Sequence, residues 1–192
     1  GDRIALMCPN IFAFPVAMMG ILRAGATQVN VNPLYTPREL QHQLNDAGVE
    51  TILIFSGSTP TLAAIIGETT VKTVVSIDLS DAIGLPIPTP PVDEGIAAPS
   101  RFADVLAEGA GLEFTPVELT GDDTLFFQYT GGTTGFPKGV MLTHRNLIAN
   151  SEQFRAYLPE ASEPGREVVV GALPLYHIFG LTLSLCYMAI GA

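Results

Sequence analysis

The sequence predicts an α/β fold, a parallel sheet covered by helices on both faces, on three observations. Short, almost uninterrupted apolar runs recur over the first 80 residues, as at 4–8, 51–55 and 73–77, and strands buried on both faces read this way instead of alternating. Segments of helical length and pattern separate these runs, the order expected of strand-helix-strand units. Turn residues, among them Pro9-Asn10, Gly25 and Gly48, punctuate each change of pattern.

In order, residues 4–8 form a strand closed by Pro9-Asn10, and residues 12–23 a core helix, apolar almost all round, ending at Gly25. A strand over 27–31 leads into Asn32-Pro33-Leu34-Tyr35. Thr36-Pro37-Arg38-Glu39 then has the form of a helix start, with Thr as N-cap, Pro at the first helical position and Glu at the third. The helix it opens runs from 37 to 47 and stops at Gly48. A strand at 51–55, a helix over about 59–67 and a strand at 73–77 complete the first part, residues 1–80. Residues 81–100, with prolines at 86, 88, 90, 91 and 99 and no apolar period, are expected to be an irregular surface connection, disordered in part. The second part, 101–192, begins with a short helix at 102–108. It continues with a strand at 124–128, a loop at 129–139, a strand at 140–142 and a helix from Thr143 as N-cap to about 157. A strand at 167–172 and a helix from near His177 close the chain.

Composition narrows the function. Nine Lys and Arg against nineteen Asp and Glu give a net charge of −10, which disfavours nucleic acid and anionic membrane in the bulk, so an anion site must be local. Cys8 and Cys186 lie in apolar runs far apart, as buried reduced thiols would in a cytoplasmic protein. No basic segment precedes an apolar one, so no signal peptide is read. The apolar stretch 178–192 is shorter than the roughly 18 residues of a membrane span. With Gly1 at its start, an apolar run at its end and a mean hydropathy of +0.36, the chain is expected to be a piece of a larger protein whose remainder covers apolar surface.

The chemistry concentrates at 129–139, YTGGTTGFPKG. Gly131, Gly132 and Gly135 let the backbone approach an anion. Thr130, Thr133 and Thr134 add hydroxyl donors, and Lys138 a mobile positive charge. These residues, with Tyr129, are the candidate polyphosphate site. The spacing does not fit a Walker A loop, because Lys138 follows Pro137 and precedes Gly139; the loop joins two strands and does not open a helix. A second candidate is His177 in PLYHIFG, an imidazole at a helix start. His144 and Arg145 fall in the first turn of a helix, where pairing of Arg145 with an acidic surface group is the simpler role, and His42 reads as solvent-facing. Phe179, Leu181, Leu183, Leu185, Tyr187 and Met188 could line an apolar ligand pocket or fill the core.

YTGGTTGFPKG followed by VMLTHRN resembles the phosphate-binding signature of the adenylate-forming superfamily, and Gly131 before Gly132 resembles its long-chain fatty acid:CoA ligases. NPLYTPRE at 32–39 and PLYHIFG at 174–180 extend the resemblance to nearly the whole chain except 81–100. The resemblance implies part of the large N-terminal domain of an enzyme that joins a carboxylate to AMP from ATP and passes the acyl group to CoA. It implies Lys138 and His177 as catalytic groups, residues 129–135 with Lys138 on the phosphates, and Thr130 close to Mg²⁺. His177 would lie beside the substrate carboxylate. The partners implied are a fatty acid, ATP, CoA and a C-terminal part of the same chain. Peripheral membrane association and oligomerisation stay open. The family's later glutamate, ribose-binding aspartate, hinge and C-terminal lysine have no match in these residues, so the stretch by itself is expected to be inactive. Alternatives are an adenylating enzyme that loads a carrier protein with another carboxylate, and a non-catalytic nucleotide-binding scaffold.

Overall fold

A computed structural model describes residues 1–131, 137–161 and 163–191. Its centre is a seven-stranded sheet: β1 (Arg3–Met7), β2 (Thr27–Val31), β3 (Thr51–Phe55), β4 (Thr73–Ile77), β5 (Ser100–Arg101), β6 (Thr124–Thr130) and β7 (Lys138–Thr143). The spatial order is β5-β4-β3-β1-β2-β6-β7. Every neighbouring pair is parallel except β6 and β7, which form an antiparallel hairpin at the edge. Strands from both parts of the sequence therefore share one sheet, with β6 seated beside β2.

Among the described residues six α-helices cover it: α1 (Ala13–Arg23), α2 (Pro37–Ala47), α3 (Thr59–Ala63), α4 (Phe102–Gly109), α5 (His144–Tyr157) and α6 (Ile178–Ala189). The pleat sends alternate residues to opposite faces, and two cores result. Met7, Val29, Val31, Ile52 and Ile54 meet Leu40 and Leu44 of α2 and Leu62 of α3 on what we call the back face. Leu6, Cys8, Ile77 and Phe126 meet Phe14 and Met18 of α1, Leu147 of α5 and Leu181 of α6 on the front face. Cys8 and Cys186 are both buried free thiols.

The capped helices form where their start signals stand. Thr36 accepts from the Glu39 amide while Glu39 Oε2 accepts from Thr36 N at 2.8 Å, and Gly48 closes α2 at φ +62°. Thr143 and Asn146 make the equivalent reciprocal pair at the start of α5.

Four expectations are corrected. Residues 167–172 are not a strand: they run as irregular chain with Val168 93% and Val170 87% exposed. A valine-rich run becomes a strand only when another strand pairs with it, and none does among the described residues. The helix expected over 59–67 ends at Ala63, after which residues 66–68 form one tighter turn. The first strand begins at Arg3 and ends at Met7. The 81–100 connection, expected to be partly disordered, is tied down: Thr59 Oγ1 accepts from Asp93 N, Thr89 Oγ1 accepts from Leu79 N, Ile96 is buried in the back core, and its last residue begins β5.

Candidate active site

The C-terminal ends of β1, β2 and β6 point the same way, and the loops leaving that edge carry Asn10, Asn32 and the 129–139 segment. Open α/β sheets bind ligands outside this edge. Of the loop residues, Gly132, Thr133, Thr134, Gly135 and Phe136 lie outside the described residues. The two stems of the loop are described, and the ladder pairs Thr130 with Lys138. Directly opposed residues of an antiparallel pair present their side chains to the same face, about 5 Å apart at Cβ. A hydroxyl and an ammonium thus stand together at the mouth, both exposed, with Gly131 exposed beside them.

Alternation along β6 decides which face this is. Phe126, Gln128 and Thr130 share the front face, whereas Tyr129 projects to the back. Tyr129 is buried, and its hydroxyl donates to Asp46 Oδ2 of α2 at 2.5 Å. Burial, then the hydrogen bond and charge of Asp46, push the phenol well above its ordinary range. Its ring lies over Gly139, where an added Cβ would meet ring carbons at 3.0 and 3.1 Å and the hydroxyl oxygen at 3.2 Å. Tyr129 therefore braces the hairpin against α2 and turns its side chain away from Thr130 and Lys138.

The second candidate lies on the front face. His177 is the exposed N-cap of α6, and its Nδ1 accepts weakly from Phe179 N at 3.4 Å. Gln128 Nε2 donates to the carbonyl of Tyr176 at 3.3 Å. The residue before His177 is thus tied to the strand that ends in Thr130, which sets the His177 turn on the same face of the sheet as Thr130 and Lys138. Gly180 permits the turn: a Cβ there would collide with the carbonyl oxygen of Pro174 and come within 3.0 Å of that of Leu173.

The remaining polar candidates sort cleanly. Arg145 Nε pairs with Asp122 Oδ1 at 2.9 Å on the exposed surface, a structural role. His42 is corrected from solvent-facing to half-buried, with Nε2 3.1 Å from the carbonyl oxygen of Pro137 at the exit of the loop. No sequence signal marks this contact, because it depends on the hairpin folding back onto α2. Among the described residues no three His, Cys, Asp or Glu side chains gather to hold a metal ion. The Thr130 hydroxyl is a described, exposed side-chain oxygen at the mouth.

The apolar stripe of α6 divides. Leu181 is fully buried and Leu185 packs against the front core. Phe179 and Leu183 instead line a groove of about 330 Å³ with Asn150 and Phe154 of α5, and Met188 lines a larger one of about 510 Å³ against Phe14 and Met18 of α1.

The profile of one protein family, described as AMP-binding enzyme, matches residues 1–192. A long-chain-fatty-acid–CoA ligase of Salmonella typhimurium is 44% identical over 199 residues, covering 96% of this chain and 35% of the relative. The corresponding ligase of Bacillus subtilis is 33% identical, over 97% and 35%. Among solved structures, a long-chain-fatty-acid-CoA ligase from Archaeoglobus fulgidus superposes with a TM-score of 0.78 at 27% identity, covering 99% of this chain and 33% of that one. ATP-bound MatB from Rhodopseudomonas palustris gives 0.74 at 26%, covering 100% and 34%. The chain spans about a third of the length of the curated relatives it matches.

Proposed function

The chain belongs to the AMP-binding enzyme family, and on that premise we propose that the full-length protein is an ATP-dependent acid–thiol ligase acting on a fatty acid. A carboxylate oxygen attacks the α-phosphorus of ATP and pyrophosphate leaves. The sulfur of CoA then attacks the acyl carbon and AMP leaves. The observation that carries the reading is the convergence of Thr130 and Lys138, opposed across the β6–β7 ladder, with the His177 turn on the same face. The names of the curated relatives support the substrate class, and the ATP-bound neighbour supports the nucleotide.

In this arrangement Lys138 neutralises charge growing on the departing pyrophosphate, at a mouth fixed in advance by the ladder. The Thr130 hydroxyl would be a protein oxygen for Mg²⁺ brought in with the phosphates, where the ion would offset phosphate charge. His177 donates a hydrogen bond to the carboxylate, and its position at a helix start leaves the imidazole exposed for that role. The 192 residues alone hold the pyrophosphate end of this chemistry and do not turn over.

The test is pyrophosphate release and acyl-CoA formation by the full-length protein over a panel of acids. Long-chain fatty acids are expected to give the highest kcat/KM. Preference for short or aromatic acids would remove the fatty-acid assignment, and turnover by the isolated 192-residue stretch would remove the claim that it is inactive.

A further inference from the structure

Strand β2 reads Thr27-Gln28-Val29-Asn30-Val31 and is buried at every position. Apolar residues on both faces would be expected there, yet Gln28 is 0% and Asn30 3% exposed. With Gln128 of β6, which stands opposite Asn30 in the parallel register, they form a row of three carboxamides. Gln28 Nε2 donates to Asn30 Oδ1 at 2.6 Å, Asn30 Nδ2 donates to Gln128 Oε1 at 3.0 Å, and Gln128 Nε2 donates to the Tyr176 carbonyl. Asn30 and Gln128 each accept from the member before and donate onward, while Gln28 opens the row as a donor. The row therefore has a direction, and it ends on the backbone immediately before His177.

The same turn is gripped again from the end of β1. Asn10 Nδ2 donates to the carbonyl of Leu173 at 2.8 Å and to that of Gly171 at 3.3 Å, while its Oδ1 accepts from Leu175 N at 2.8 Å. With Gly180 packed on the Leu173 and Pro174 carbonyls, residues 173–176 are fixed from three sides. Stability alone does not explain the row. Buried amides cost free energy unless fully bonded, and Gln28 Oε1 has no protein partner. Three well-packed apolar side chains would serve the sheet better.

We propose that Gln28, Asn30 and Gln128, together with Asn10, are positioning residues that set the His177 turn against the phosphate-loop strand. This rests on the reading of His177 as a carboxylate-orienting group. Since Gln128 precedes Thr130 by two residues on one strand, the row holds the imidazole in register with the hairpin stem that presents Thr130 and Lys138.

The experiment uses the full-length enzyme with Asn10→Ala, Gln128→Leu and His177→Ala, and each of the first two combined with the third. Acyl-adenylate formation is followed in single turnover, with hydrogen exchange of a peptide covering 172–179. Asn10→Ala alters an exposed side chain and guards against the case in which Gln128→Leu fails to fold. Each positioning variant is expected to slow adenylation by about 10- to 100-fold with KM for ATP unchanged, and Asn10→Ala to speed exchange of the Leu175 amide. In the His177→Ala background the further loss should shrink to about twofold or less, since groups acting through one another are not additive. Losses that multiply in the double variants, a lowered melting temperature with unchanged kinetics, or a neutral His177→Ala would each overturn the inference. Full-length wild type that forms no acyl-adenylate would instead sink the functional reading and carry this inference with it.

Discussion

Lys138 stands opposite Thr130 at the mouth of a two-stranded stem and is exposed. On the proposed function, a flexible four-carbon side chain suits a charge that follows the leaving pyrophosphate. Lys138→Met keeps the stem and the side-chain length while deleting the charge. It is expected to cut kcat for adenylation by on the order of 10²-fold, measured as pyrophosphate release by the full-length protein; a change of less than twofold would remove Lys138 from the chemistry. Cys8 is the opposite case, a thiol whose pKa is pushed up to about 12, first by burial and then by the charge of Asp81. The folded chain keeps a proton that the unfolded chain releases above about 9, so this group withdraws stability as pH rises from there towards 12. An alkylating reagent at pH 8 is expected to label Cys8 only after denaturation. Labelling of the native protein at the rate of an exposed cysteine would show the site to be open.

At the scale of elements, what was legible in the sequence is what local physics dictates. Strands β2, β3 and β4 appear at their expected bounds because continuous apolar runs ended by turn residues admit little else. Helix α2 appears at its expected bounds because its start and stop are both written in side chains. Its capping box also yields a pH signature. Bonds from the Thr36 amide and hydroxyl hold the Glu39 carboxyl below its usual range. That stabilisation is complete above the ordinary glutamate pKa and is lost as pH falls through the depressed value in the fold. Thr36→Ala is expected to cost about 1 kcal/mol at neutral pH. For Glu39→Gln, denaturant midpoints should differ from wild type near neutrality and converge in acid; a gap that persists in acid would assign the effect to packing.

What stayed hidden depends on residues far apart in the chain. The 167–172 run carries strand residues but no instruction about a partner. Gln28, Asn30 and Gln128 are unremarkable polar residues until the register sets Asn30 against Gln128. His42 looks like a surface residue until the hairpin brings Pro137 to it. Tyr129, read with the loop as a phosphate group, shows its brace role only once alternation along β6 is fixed by the core.

For the whole molecule, one sheet with two apolar faces holds the loop edge steady, and the hairpin at its border is the part that leaves parallel order. The back face supports the hairpin through Asp46 and His42 of α2, while the front face collects the polar groups. The candidate site is thus assembled at one edge of the sheet from segments that are not neighbours in sequence.

The Asn10 clasp has a temporal side. Its bonds to Leu173 and Leu175 close separations of 163 and 165 residues, whereas β1, β2 and β3 pair within the first 55. Distant contacts are slower to form than local ones because a longer loop must be closed first. During synthesis the sheet can begin to form while residue 175 has yet to be made, so the pairing of the imidazole turn with the loop strand is a late event. On refolding the full-length protein, recovery of far-ultraviolet ellipticity is expected to precede recovery of adenylation activity. Asn10→Ala should lengthen that interval without slowing the first phase, and simultaneous recovery of both signals would refute the order. Competence would then report that residues 171–175 have arrived, with the loop after β1 as their latch.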